Sequence, residues 1–170
     1  MVETIIVLSS IVGLWLLIVF SISIIILVCR RRIKRKKHSI NVICAQKYDL
    51  LVSLCELMKE NGIELPGTIS ETIVMSGNNN LKIINTEERM SLKSLLTKTF
   101  TMLFEISESK GLDKSNRYIT IKNSVEDADE HYRKEVMLFN NEVKGYNYWI
   151  KSLLYRPIKW LFRLKEIETM

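Results

Sequence analysis

Six glycines, two prolines, three cysteines and two histidines are all that this 170-residue chain offers of the types that build turns, staples and metal centres. Each shortage excludes something. The glycines are scattered, so there is no Gly-rich strand–loop–helix pattern to cradle a phosphate. Cys29, Cys44 and Cys55 are too few and too widely spaced for a zinc site. In a cytoplasmic domain they are expected to be reduced thiols. Cys29 closes an apolar run, either as a small apolar residue or as an acylation point. No serine sits in a nucleophile-elbow context. His38 has no acid near it in sequence. His131 ends the cluster Glu126-Asp127-Ala128-Asp129-Glu130-His131, the one group resembling a metal site, with Asp127 and His131 four apart on one helical face. These positions lie off the apolar seam, and Asp129 and Glu130 precede Arg133 and Lys134 by four residues. That spacing reads as ion-paired solvated surface. No catalytic residue, metal or cofactor is expected.

Charge is missing from one long stretch. Between Ile5 and Val28 every residue is apolar except for Ser and Gly. At ~1.5 Å per residue a helix of this length reaches ~36 Å, against a hydrocarbon core of ~30 Å, with tilt to absorb the excess. Directly after it come Arg30, Arg31, Arg32, Ile33, Lys34, Arg35, Lys36 and Lys37, basic but for the isoleucine. The other flank carries only Glu3 and the amine, so the positive-inside rule predicts the N-terminus outside and the rest cytoplasmic. A cleaved signal peptide is the rival reading. It needs a basic n-region, an apolar stretch of ~7–15 residues and a small-residue cleavage site, none of which is present. The basic run also attracts an anionic leaflet, by ~1 kcal/mol per Lys or Arg within a Debye length of ~8 Å.

By segment, the formal charge of +6 divides into −1 before Arg30, +7 over Arg30–Lys37, −3 over His38–Tyr148 and +3 over Trp149–Met170. A nucleic-acid binder puts its excess on the folded body, and here the body is mildly acidic, so no nucleic-acid partner is expected.

Beyond the basic run, His38 to Asn61 reads as a helix. Ile43, Lys47, Leu50, Leu51, Leu54, Leu57 and Met58 recur at helical spacing, and Asn61-Gly62 is a stop. Leu65-Pro66-Gly67 reads as a turn, Thr68–Met75 as a short helix and residues 76–80 as a loop. Asn85 and Glu88 form a capping-box pattern before a second long helix marked by Leu92, Leu95, Leu96, Phe100, Leu103 and Ile106, closed by Lys110-Gly111. Ser115 then caps the longest predicted element, Asn116 to about Tyr155. Tyr118, Val125, Tyr132, Phe139, Tyr146 and Leu153 fall every seventh position there. Their partners shift from three residues on (Ile121, Ala128) to four (Val136, Val143, Ile150). That drift marks a bundle helix and not half of an extended coiled coil. The only strand-like alternation, Tyr118–Ile121, fits the helical frame equally well. Pro157 breaks the helix. From Trp149 to Lys165 there are five basic residues and no acid, mixed with Trp160, Leu161, Phe162 and Leu164. Such a tail either lies in a membrane interface, the preferred reading, or tucks its aromatics onto the bundle.

Three features together resemble the LemA family of bacterial membrane proteins: the single span, a helix carrying Gln46-Lys47-Tyr48-Asp49-Leu50 with Leu54, and a late helix carrying Phe139-Asn140-Asn141-Glu142-Val143-Lys144-Gly145-Tyr146-Asn147. The Ile150…Pro157 tail is similar too. Where the family has Pro-Asn after Tyr-Asp-Leu, this chain has Val52-Ser53. The resemblance implies an antiparallel α-bundle at the cytoplasmic face of a membrane, with membrane proteases and envelope-stress components as neighbours, and no established activity. On the wheel Asn140 and Asn147 adjoin Phe139, Val143 and Tyr146 at the edge of the buried face. Their amides require partners, for which Tyr48 and Asp49 are the candidates.

The expected protein is therefore all-α: a transmembrane anchor (1–29), a basic juxtamembrane segment (30–38), a helical bundle (39–156) and a short amphipathic tail (157–170). The expected role is non-enzymatic interaction or scaffolding at the membrane, with lipid and a protein partner in the membrane as partners and a second copy of the chain as a further option. Ser9 and Gly13 form a small-xxx-small pair that bears on the last of these. The alternative is a ligand- or metal-responsive module.

Overall fold

The computed structural model describes residues 2–67, 69, 86–152, 159 and 164–170. Within these the protein is all-α, with no strand. Helix α1 spans Val2–Glu60, α2 Thr86–Ser109 and α3 Asn116–Lys151, with a 3-10 turn over Leu112–Lys114 between the last two. The chain forms two compact units. One joins Met1–Lys37 to Met137–Thr169, and the other is His38–Val136 with Met170. The expected short helix over Thr68–Met75, the loop at residues 76–80, the cap at Asn85, the Leu92 side chain, Leu153 and the break at Pro157 lie outside the described residues.

Where the sequence suggests a helix starting at His38, α1 runs unbroken from Val2 through the basic run. Lys and Arg are good helix formers, and no Pro or Gly interrupts the chain from Leu14 to Asn61. A buried stripe threads the run as well. Val19, Ile26, Ile33, Ile40, Lys47 and Leu54 are all buried and stand seven residues apart. Ile33 is the one uncharged residue among the basic ones because its position faces protein, while Arg30, Arg31, Arg32, Lys34, Arg35 and Lys37 are exposed and Lys36 is half-buried. Asn61-Gly62 ends α1 as expected. Gly62 has φ +72°, its N–H donates to Lys59 O (3.0 Å), and the Ile63 N–H donates to Met58 O (3.0 Å). This double bond pattern needs a left-handed residue that only Gly adopts cheaply.

In the second unit α1 and α3 run antiparallel, joined by Arg117 to Glu60 (2.7 Å) near one end and by Lys47 to Asp129 (2.7 Å) farther along. Between them and α2 lies a closed apolar core built around Leu51, Leu54, Met58, Leu96, Phe100, Leu103 and Tyr118. Phe104 stacks on Phe100 (5.7 Å) and meets Tyr118 edge-on (5.8 Å). The turn into α3 is set by Gly111 at φ +79° and by extended Ser115, whose carbonyl accepts the Ile119 N–H at 3.0 Å.

The predicted stripe of α3 is buried throughout its described length: Tyr118, Ile121, Val125, Ala128, Tyr132, Phe139, Val143, Tyr146 and Ile150. Only Val136, at the point where the spacing changes, is half-buried. In the first unit Phe139, Val143, Tyr146 and Ile150 on α3 and Val19, Ile22, Ile26 and Ile33 on α1 form the buried faces. Val2 through Ile18 are exposed on all sides.

Candidate functional site

Two places gather polar chemistry, one in each unit. In the first unit the end of α3 is tied to the chain that returns after it. The Asn147 side chain pairs with the backbone of Ile167 at two points: its amide N–H donates to Ile167 O (2.8 Å) and its Oδ1 accepts the Ile167 N–H (3.1 Å). The Tyr146 hydroxyl donates to Lys165 O at 3.3 Å. Glu166 receives Lys151 at 3.0 Å and Lys159 at 3.7 Å, and the Lys151 bond holds its carboxyl below the usual range. Residues 164–167 thus form a strap laid along the last two turns of α3. Tyr148, beside it, is 70% exposed and meets the half-buried Trp149 ring edge-on at 5.5 Å.

This corrects one expectation. Asn147 finds its partner in the returning strap and not in Tyr48 or Asp49 on α1. The wheel position was right, since the amide lies at the edge of the buried face, but a backbone twenty residues downstream supplies both of its bonds. Phe139 and Tyr146 are buried, Asn140 and Tyr48 half-buried and Asp49 exposed. Trp160 and Phe162 lie outside the described residues. Within the basic run Arg32 pairs with Glu142 at 3.5 Å, which ties α1 to α3 inside the first unit.

In the second unit Lys47 is 3% exposed, bonded to Asp129, with its ammonium 5.7 Å from the Phe100 ring centre. In sequence Lys47 stands among the residues that recur at helical spacing, and a lysine buried there needs an acid opposite. The sequence does not name that acid. The four-residue spacing to Arg133 predicts a solvated ion pair for Asp129, whereas its carboxylate reaches across to Lys47. Its neighbours Glu126, Asp127, Glu130 and His131 are exposed as expected, and among the described residues no three His, Cys, Asp or Glu side chains converge on a metal position.

No protein family, curated protein or solved structure matches the chain. What it does must be argued from its own surfaces.

Those surfaces include an open cleft of about 690 Å³ at the end of the second unit, where the C-termini of α1 and α2 meet. Asn61, Glu64, Lys110 and Ser115 supply its polar groups and Ile63 and Ile106 its apolar ones. Beside it Glu108 accepts the Tyr118 hydroxyl (3.0 Å) and Lys122 (2.8 Å), and these donors hold its carboxyl below the ordinary value. Cys55, 4% exposed, has its thiol pushed up by burial, the opposite of an activated nucleophile. The arrangement can bind and orient; it assembles no nucleophile–base pair.

Proposed function

We propose that this protein is a single-pass membrane-anchored interaction protein of the LemA type. Its N-terminus lies outside, its bundle in the cytoplasm, and its role is to present that bundle to lipid and to a protein partner in the membrane, without catalysis. One observation carries the reading. The run Val2–Ile18 exposes Ile5, Ile6, Leu8, Ile11, Leu14 and Leu17 at once, around the whole circumference of one helix. α1 is long and apolar enough to cross a membrane, and so large an apolar surface in water would drive association. The basic run beside it supports the orientation.

Alkaline carbonate extraction of membranes tests the anchor, and reporter fusions at Met1 and Met170 test the topology. The protein is expected in the membrane pellet with only its C-terminal reporter active in the cytoplasm. Release into the supernatant overturns the anchor, and a periplasmic C-terminus overturns the orientation. In-cell crosslinking tests the partner: recovery of a reproducible membrane protein supports an adaptor, and recovery of this chain alone replaces that with self-assembly. The cleft between the ends of α1 and α2 favours a second reading, a ligand-responsive module. A small molecule that raises the melting temperature in proportion to occupancy of the cleft supports it.

A further inference from the structure

The first unit carries more than a span. The Arg32–Glu142 pair fixes one point of contact between α1 and α3. Only five residues of this unit's α3 precede Glu142, yet α1 is covered as far back as Val19. From Glu142 onward α3 therefore runs back along α1 toward its N-terminal end. Six residues from the pair this brings Tyr148 level with Ile26, and nine residues from it Lys151 level with Ser23.

The apolar length of α1 now has a second interpretation. A hydrocarbon core of ~30 Å takes up about 20 residues. Counted from Glu3, the last charge on the outer side, it ends near Ser23. From Thr4 to Val28 the helix is ~37 Å long and fits the core whole only with a tilt of ~35–40°, at the upper end of the range for spanning helices. With less tilt, Ile24, Leu27 and Val28, all exposed, rise into the headgroup layer, at the level where the end of α3 arrives.

The side chains at that level suit it. Tyr148 and Trp149 are amphipathic rings of the kind that line membrane–water boundaries. Lys151 is exposed, and from Val143 to Lys151 α3 has no acid. The nearby Glu166 is ion-paired with Lys151 at 3.0 Å and Lys159 at 3.7 Å. The strap satisfies both polar backbone groups of Ile167 through Asn147, which lowers the cost of bringing this returning chain close to lipid.

We infer that the protein meets the inner leaflet through a composite pad, α1 from Ile22 to Val28 together with α3 from Tyr148 to Lys151, with Tyr148 and Trp149 at the boundary between acyl chains and anionic headgroups. The pad rests on the anchor reading and deepens it: the lipid surface is reached by the last turns of α3 as well as by the span. The basic run Arg30–Lys37 then stands ~10 Å or more above the hydrocarbon, where it acts on headgroup charge at a distance.

Depth-resolved fluorescence quenching of the full-length protein tests this, in vesicles of phosphatidylcholine and phosphatidylglycerol. One variant keeps Trp15 alone and the other keeps Trp149 alone, the remaining tryptophans being replaced by Phe. Nitroxide lipids labelled near the headgroup or deep in the acyl chain serve as quenchers, with iodide as the aqueous probe. Trp15 is expected to respond to the deep label. Trp149 should be quenched several-fold more by the shallow label than by the deep one, and weakly by iodide. If Trp15 responds but Trp149 is reached only by iodide, the pad is wrong and the anchor stands. If Trp15 ignores both lipid labels, the anchor itself fails, and the pad with it. Should a single-tryptophan variant not fold, a nitroxide on Tyr148→Cys, with the native cysteines replaced by Ala, reads the same depth from its accessibility to oxygen and to a water-soluble nickel complex. Accessibility to the nickel complex alone overturns the pad.

Discussion

Removing Asp129 tests the buried lysine most directly. Lys47 is 3% exposed and its ammonium has one carboxylate at 2.7 Å and one aromatic face at 5.7 Å. Breaking a fully buried pair by deleting one partner costs about 3–5 kcal/mol, because a charge is left without compensation. Asp129 is 27% exposed, so water partly replaces it, and the expected cost of Asp129→Ala falls to about 2–3 kcal/mol. At about 1.4 kcal/mol per factor of ten, amide protection drops roughly 30- to 150-fold. Lys47→Met removes the charge together with its desolvation penalty. It keeps an unbranched stem and adds a sulfur contact to Phe100, so it is expected within about 1 kcal/mol of the parent. The double variant should match Lys47→Met alone. Hydrogen exchange of the full-length protein in micelles, read over Leu96–Leu103 and Ile121–Ala128, makes the measurement. The reasoning is refuted if Asp129→Ala costs no more than an exposed pair, about 0.5 kcal/mol, or if Lys47→Met costs as much as Asp129→Ala.

Ile33→Lys completes the basic run chemically yet is expected to destabilise the first unit by about 2–4 kcal/mol, since Ile33 is buried, whereas Lys34→Ala stays within about 0.5 kcal/mol. Thermal unfolding in detergent separates the two, and equal effects count against the buried stripe. Asn147→Ala removes both bonds to Ile167, so the Ile167 amide should exchange roughly 5- to 30-fold faster, for about 1–2 kcal/mol. Unchanged exchange there would show that the strap is held by something else. Lys122 and Tyr118 lower the Glu108 carboxyl in the folded state, so its contribution is complete above the ordinary value of 4.5 and is lost as pH falls through the lowered folded value. Glu108→Gln should flatten that part of the melting-temperature profile between neutral and acid pH. An unaltered acid limb would remove Glu108 from the account.

What could be read in the sequence was what obeys local rules. The stripe of α3, its start at Ser115 and the stops at Gly62 and Gly111 follow from helical period and from the left-handed conformation of glycine. The continuity of α1 is encoded too, in the seven-residue step from Ile26 through Ile33 to Ile40, but with seven charges around Ile33 the apolar period there is too sparse to stand out. The partners of Asp129 and Asn147 were not legible. Asp129 has an acceptable cation four residues on, and nothing local says that Lys47 wins. Asn147 is satisfied by a segment that returns only after the helix has ended, a fact of tertiary closure that no short window contains.

The nesting of the two units sets an order of events at the ribosome. His38–Val136 lies between the two stretches that make the other unit. Val19, Ile22, Ile26 and Ile33 leave the ribosome early, but Phe139, Val143, Tyr146 and Ile150, the other buried face of that unit, follow more than a hundred residues later. At ~5–20 residues per second the delay is on the order of ten seconds. During it the Val19–Ile33 face of α1 needs cover from lipid or a chaperone while the inserted unit is being made, and all of His38–Val136 is out before Phe139 follows. The unit that begins first is thus the last to close, and truncations of α3 after Val136 should leave nascent chains whose exposed α1 face is bound by whatever normally guards it.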